Sequence, residues 1–67
     1  MKPKELIKIL ESKGFYLKRS KGSHQIFRND ETGKMTVVPV HNRDLPIGTF
    51  NEILKQAGIT KDDLTKK

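Results

Sequence analysis

The chain has 67 residues, no cysteine and a net charge of +6, with 33% hydrophobic and 33% charged residues. We expect one domain over residues 1–67 with a thin core, because so short a chain buries only about 60% of its unfolded surface. The lack of cysteine excludes disulfides, thiolate zinc ligands and a thiol nucleophile. Because no apolar run approaches the roughly 20 residues of a membrane span, we expect a cytoplasmic protein without membrane contact.

The N-terminal stretch predicts an amphipathic helix over about residues 3–13. Pro3 suits the first helical position, where its missing N–H costs nothing. Leu6, Ile7 and Leu10 recur at helical spacing. Gly14 is expected to end the helix in a left-handed conformation, with the next residue folded back on the last turn.

The middle third predicts a meander of three antiparallel strands, over about residues 16–20, 23–28 and 34–40. Gly22 lies at the first bend, where positive φ favours glycine, and Gly33 takes the same role in the turn at 29–33. The third strand is rich in β-branched residues. Pro39 marks its end or an edge, because proline cannot donate a ladder hydrogen bond.

A second helix is predicted after the sheet. Thr49 and Glu52 fit a capping box, although Pro46 could open the helix one turn earlier. Gly58 repeats the stop signal of the first helix, and a further capping box at residues 60–63 predicts a short final helical turn. The order α-β-β-β-α is that of an α+β fold, in which two helices pack on one face of a three-stranded antiparallel sheet.

His24 is the first candidate for chemistry, because imidazole can give or take a proton near neutral pH. In RNA the 2′-OH is itself the nucleophile, so cleavage needs mainly a base and an acid. Cations beside the base would hold phosphate and stabilise added charge on phosphorus. We therefore expect His24 to be catalytic, and a group of residues around it to bind the RNA backbone: Lys18, Arg19, Lys21, Gly22, Ser23 and Arg28.

His41 is the second histidine. It follows the third strand, which neighbours the second, so His41 could approach His24 and act as an auxiliary acid. Two histidines without a nearby carboxylate make a poor metal site, and no phosphate-cradling glycine-rich motif is present. We expect no metal and no small-molecule cofactor.

Several motifs together resemble the HicA (YcfA-like) toxins. They are Lys4–Leu10 with Gly14-Phe15, then Lys21-Gly22-Ser23-His24, Val38-Pro39 and Gly48–Gly58. The resemblance extends to about Ile59. It implies a double-stranded-RNA-binding-domain-like fold and a metal-independent mRNA interferase, with the catalytic histidine at His24. It also implies a HicB antitoxin that binds the toxin and masks its site.

Two other functions fit the same residues. A positive surface favours polyanions at long range, so the domain could bind RNA without cutting it, as double-stranded-RNA-binding folds do. The positive face could also serve only to pair with an acidic protein partner. A solvated basic surface without a specific partner is the simplest alternative.

Overall fold

A computed structural model of the chain describes residues 1–41, 43–60 and 62. Helix α1 (Pro3–Ser12) is followed by strands β1 (Tyr16–Lys21), β2 (His24–Asn29) and β3 (Lys34–Pro39), and by helix α2 (Ile47–Ala57). The strands form one antiparallel sheet in the order β1-β2-β3. The predicted α-β-β-β-α architecture is confirmed, and each strand boundary lies within one residue of its prediction. Neither helix of the described chain is long and apolar enough to cross a bilayer.

Helix α1 begins and ends as its sequence predicts. Pro3 occupies the first turn, and the Lys2 N–H donates to Glu5 Oε1 at 2.9 Å. At the other end Gly14 has φ +96°, and the Phe15 N–H donates back to the Leu10 carbonyl at 3.0 Å. The return of the chain over the last turn seats Phe15 in the core and aims β1 along the sheet.

Helix α2 begins earlier than its predicted capping box, so that box is wrong and the alternative start at Pro46 is correct. Pro46 is the N-cap residue just before the helix, with φ −57° and an extended ψ of 146°, and its carbonyl accepts the Phe50 N–H at 2.9 Å. Thr49 therefore lies inside the first turn and caps nothing. Gly58, at φ +72°, ends the helix as predicted. The predicted turn at 60–63 lies partly outside the described residues.

The helices pack against one face of the sheet and enclose the core. Side chains from both helices, from β2 and β3 and from the connecting segments take part. Their apolar surface supplies the main drive to fold, at roughly 25 cal/mol per Å² buried. The buried hydrophobic residues are Leu6, Leu10, Phe15, Phe27, Val38, Leu45, Ile53, Leu54, Ala57 and Ile59.

Two buried polar side chains connect the sheet to its surroundings. Asn29 donates through Nδ2 to the Lys13 carbonyl at 2.9 Å, and its Oδ1 accepts the Glu31 N–H at 2.9 Å. One side chain thus joins the end of α1 to the turn after β2. The Thr36 hydroxyl on β3 donates to Gln56 Oε1 on α2 at 2.9 Å. The polar atoms of both side chains are thus hydrogen-bonded, as their burial requires.

Candidate functional site on the open face of the sheet

The sheet has one face that the helices do not cover, which we call the open face. Directly paired residues of antiparallel strands share a face, and those that alternate with the buried residues of β2 and β3 point away from the helices. Tyr16, Met35 and Val37 are between 42% and 43% exposed there. Three cross-strand rows make up the open face: Lys21, His24 and Pro39; Arg19, Ile26 and Val37; Tyr16, Arg28 and Met35.

A β-bulge in β1 decides which of its side chains reach the open face. Leu17 pairs with Phe27 but Arg19 pairs with Ile26, so Lys18 is the extra residue between them. An extra residue in one strand changes the face on which the following residues lie. Without the bulge, Leu17 and Arg19 would share a face. With it, Arg19 joins the open face while Leu17 remains on the side of Phe27.

His24 lies at the end of the open face beside the hairpin tip. Gly22 turns the chain there with φ +60°, and a Cβ at that position would meet no atom within 4 Å. The Ser23 carbonyl accepts the Val40 N–H at 2.7 Å, which ties the tip to the end of β3. Within the described part of the chain, the side chains of Lys21, Ser23 and His24 make no hydrogen bond or ion pair. An exposed imidazole therefore stands beside a cation and a hydroxyl, all open to a ligand.

The opposite end of the open face is held by hydrogen bonds. The Tyr16 hydroxyl donates to the Asp30 carboxylate, 3.2 Å from each of its oxygens. Arg28 Nε donates to Asp30 Oδ1 at 2.8 Å. Asp30 thus fixes the side chains of Tyr16 and Arg28, which are directly opposite each other on β1 and β2.

These contacts move two pKa values in opposite directions. The hydrogen bond from Arg28 is the largest cause that lowers the pKa of Asp30, and the charge of Lys18 contributes. Desolvation, followed by the hydrogen bond to Asp30, raises the pKa of the Tyr16 phenol. At neutral pH the carboxylate is therefore charged and the phenol keeps its proton, so this end of the face carries a defined set of donors and charges.

The predicted backbone-binding residues thus separate into two groups. Lys21, Gly22 and Ser23 lie at the tip with His24, and Arg19 occupies the next row. Lys18 and Arg28 lie instead near Asp30, at the far end. Arg28 is four positions from His24, about 13 Å at roughly 3.3 Å per strand residue. The structure does not bring all the predicted cations to the histidine.

His41 lies beyond β3, at the junction of two open clefts. One, of about 490 Å³, runs past Lys2 and Lys4 at the start of α1. The other, of about 520 Å³, runs past Arg43 before α2. His24 is not among the described residues that line either cleft. His41 therefore shares the hairpin-tip end of the sheet with His24 through the Val40–Ser23 pairing, but it faces surroundings of its own.

The sequence did not indicate the bulge or the role of Asp30. All residues of β1 are exposed. The strand therefore lacks a regular alternation of buried and exposed residues, whose interruption would have indicated the bulge at Lys18. Asp30 is two positions after Arg28, the spacing of side chains on one strand face, and opposite charges at that spacing could have suggested the pair. Groups of three or more potential metal-binding side chains are not found among the described residues.

Comparison with known proteins identifies a family. The family model described as the HicA toxin of bacterial toxin–antitoxin systems matches residues 3–59, which include both helices and the whole sheet. No curated protein sequence matches the chain significantly.

Proposed function

Because the chain belongs to the HicA toxin family, it is a toxin of a toxin–antitoxin system, and we propose that it is a metal-independent endoribonuclease with His24 as its general base. The observation that supports this activity is the exposed, unengaged imidazole of His24 beside Lys21 and the open hairpin tip. A base must reach the proton it abstracts. A side chain at an exposed hairpin tip can approach a 2′-OH on a long RNA strand without a deep pocket.

In the proposed reaction, His24 removes the proton of a ribose 2′-OH. The 2′-oxygen attacks the adjacent phosphorus, and the bond from phosphorus to the 5′-oxygen of the next nucleotide breaks. One product ends in a 2′,3′-cyclic phosphate and the other in a 5′-hydroxyl. The departing oxygen takes a proton from an acid, for which His41 is the candidate because it lies at the same end of the sheet. The reaction transfers one proton to His24 and one from the acid to the 5′-oxygen, and it requires no metal or cofactor.

The residues around His24 supply binding and charge. Lys21 and Arg19 would neutralise the charge that builds on the phosphate oxygens in the transition state. The Ser23 hydroxyl would donate to a phosphate oxygen, and the empty space around Gly22 lets the RNA backbone approach closely. Lys18 and Arg28 would contact phosphates farther along the strand.

The substrate we propose is messenger RNA in the cytoplasm, and the partner is a HicB-like antitoxin. A toxin–antitoxin family implies an antitoxin. The open face offers such a protein an apolar centre, Ile26 and Val37, within a basic surround. An antitoxin seated there would cover His24 as well.

The test is an RNA cleavage assay with purified protein, carried out with and without EDTA. We expect the wild-type chain to cut a long single-stranded RNA in both conditions, and a single 2′-deoxynucleotide at a mapped site to stop cleavage there. His24→Ala should lower the rate about 10²- to 10⁴-fold. His41→Ala is the matched variant at the second histidine and should lower it less.

Three results would count against the proposal. Cleavage that EDTA abolishes would indicate a metal-dependent mechanism. Equal cleavage by wild type and His24→Ala would remove His24 from the reaction. Intact RNA that nevertheless shifts in a gel would favour a non-catalytic RNA-binding domain, whose affinity should fall steeply with salt.

A further inference from the structure

We infer that Tyr16 and Arg28 form a base-stacking platform for single-stranded RNA at the far end of the open face. This platform rests on the proposed function, because it binds the same RNA strand whose backbone is cut at His24. RNA-binding proteins commonly stack unpaired bases on aromatic rings or on arginine guanidinium planes. Here one of each is present, on directly paired residues of neighbouring strands.

The platform is built before any ligand arrives. Asp30 receives a hydrogen bond from the Tyr16 hydroxyl at 3.2 Å and one from Arg28 Nε at 2.8 Å. Two flat groups are therefore fixed by one carboxylate, while Tyr16 is still 42% exposed. Fixing the side chains in advance lowers the conformational entropy that binding would otherwise cost.

The distance to the catalytic end fits a short stretch of RNA. Arg28 is about 13 Å from His24 along β2 at roughly 3.3 Å per residue. Successive nucleotides rise about 3.4 Å in a stacked strand and farther apart when the strand is splayed. A base on the platform would therefore lie about two to four nucleotides from the scissile phosphate.

An RNA strand can cross the middle row of the open face from one end to the other. Ile26 and Val37 form an apolar surface there, and Arg19 lies beside them to contact a phosphate. The helices pack on the other face of the sheet, so within the described residues no element blocks this path.

Charge favours RNA as the occupant of the platform. None of the nine residues of the open face is acidic, while Arg19, Lys21 and Arg28 are cationic, and of these three Arg28 is paired with Asp30. The nearby Asp30 is neutralised by Arg28, with a further contribution from Lys18. A polyanion with flat bases matches both properties of this surface, its positive charge and its exposed ring.

The chain contains one tyrosine and no tryptophan, so its intrinsic fluorescence reports on Tyr16 alone. We would titrate the His24→Ala variant with a single-stranded RNA of about eight nucleotides, within the usual span of a single-strand binding site. Binding should quench the fluorescence, because a base stacked on the ring deactivates the excited tyrosine. The His24→Ala background keeps the RNA intact during the measurement.

Variants without Tyr16 lack this fluorophore, so the affinity of all further variants in the same background is measured by gel mobility shift with the same RNA. Tyr16→Leu should weaken RNA binding about 5- to 150-fold, which corresponds to about 1–3 kcal/mol for one stacked base. Tyr16→Phe keeps the ring and should retain most of the affinity. Leu17→Ala is the matched control, because Leu17 is 47% exposed on the opposite face, and its affinity should not change.

The outcomes distinguish the platform from the proposed function. RNA binding without quenching and without a loss in Tyr16→Leu would overturn the platform while leaving cleavage at His24 intact. An equal loss in Tyr16→Leu and Leu17→Ala would assign the effect to a disturbed β1 and overturn it as well.

Discussion

The two faces of the sheet differ in burial, although the same three strands form both. On the helix side, Phe27, Thr36 and Val38 are at most 2% exposed. On the open side, His24 and Val37 remain accessible to solvent. Side chains alternate between faces along a strand. Neighbouring residues of β2 therefore alternate between those that stabilise the fold and those that can contact a ligand. Stability and activity should therefore respond to different substitutions.

The largest effect on stability is expected from Phe27→Ala. Removing a fully buried phenylalanine typically costs about 3–5 kcal/mol, a large share of the roughly 5–15 kcal/mol that stabilises a domain. We expect urea unfolding, followed by circular dichroism, to show a mostly unfolded or strongly destabilised chain. Ile26→Ala, one residue away on the open face, should cost clearly less. Equal losses from the two substitutions would contradict the division between faces.

The glycines of the two hairpins give a second, smaller effect. Gly22 and Gly33 both have positive φ, +60° and +73°, and a Cβ at either would meet open space. Alanine in this conformation costs roughly 1–2 kcal/mol, so the two variants should lose similar stability by thermal unfolding. RNA cleavage, corrected for the folded fraction, should fall for Gly22→Ala and not for Gly33→Ala. An equal change in cleavage would show that the hairpin tip at Gly22 has no special role.

Thr36→Val tests a single hydrogen bond on the helix side. The substitution keeps the shape of a buried side chain but removes its donor to Gln56 Oε1. Because Gln56 is exposed and can bind water instead, we expect a loss of about 0.5–1.5 kcal/mol in the free energy of unfolding. Val37→Thr, the next residue on the open face, should change it by less than about 0.5 kcal/mol. A larger effect of Val37→Thr would mean that the open face is covered.

The smallest effect concerns pH. Arg28 lowers the pKa of Asp30 in the folded chain, so this interaction stabilises the fold above the ordinary carboxylate range and is lost as pH falls through the lowered value. A carbon-13 NMR titration should place the Asp30 midpoint below the usual value of about 3.9. In Arg28→Gln the midpoint should move back up. A midpoint that does not respond to Arg28 would remove the fixed arrangement proposed for the far end of the face.

The fold could be predicted closely from local signals. Pro3 and Gly14 bound α1, and Gly22 and Gly33 bound β2, because each satisfies a backbone requirement that other residues meet poorly. The start of α2 was harder, since Pro46 and Thr49 both offer a helix start and the choice depends on how the segment before the helix is seated. The sequence favoured the capping motif, and the structure favours the proline.

The candidate site could be predicted only in part. His24 and its neighbours at the tip are adjacent in the chain, so sequence alone places them together. The bulge at Lys18 and the pairing of Tyr16 with Arg28 depend on the register between strands, which individual residues do not encode. Arg28, by contrast, lies four positions from His24 on the same strand, so the rise of about 3.3 Å per residue along β2 places it at the other end of the open face.

The most direct measurement is urea unfolding and RNA cleavage on one preparation of His24→Ala beside wild type. His24 is exposed, so its removal should change the free energy of unfolding by less than about 0.5 kcal/mol. Cleavage should fall about 10²- to 10⁴-fold. Cleavage that persists in the folded variant, or that falls only as far as the folded fraction does, would contradict the assignment of chemistry to the open face.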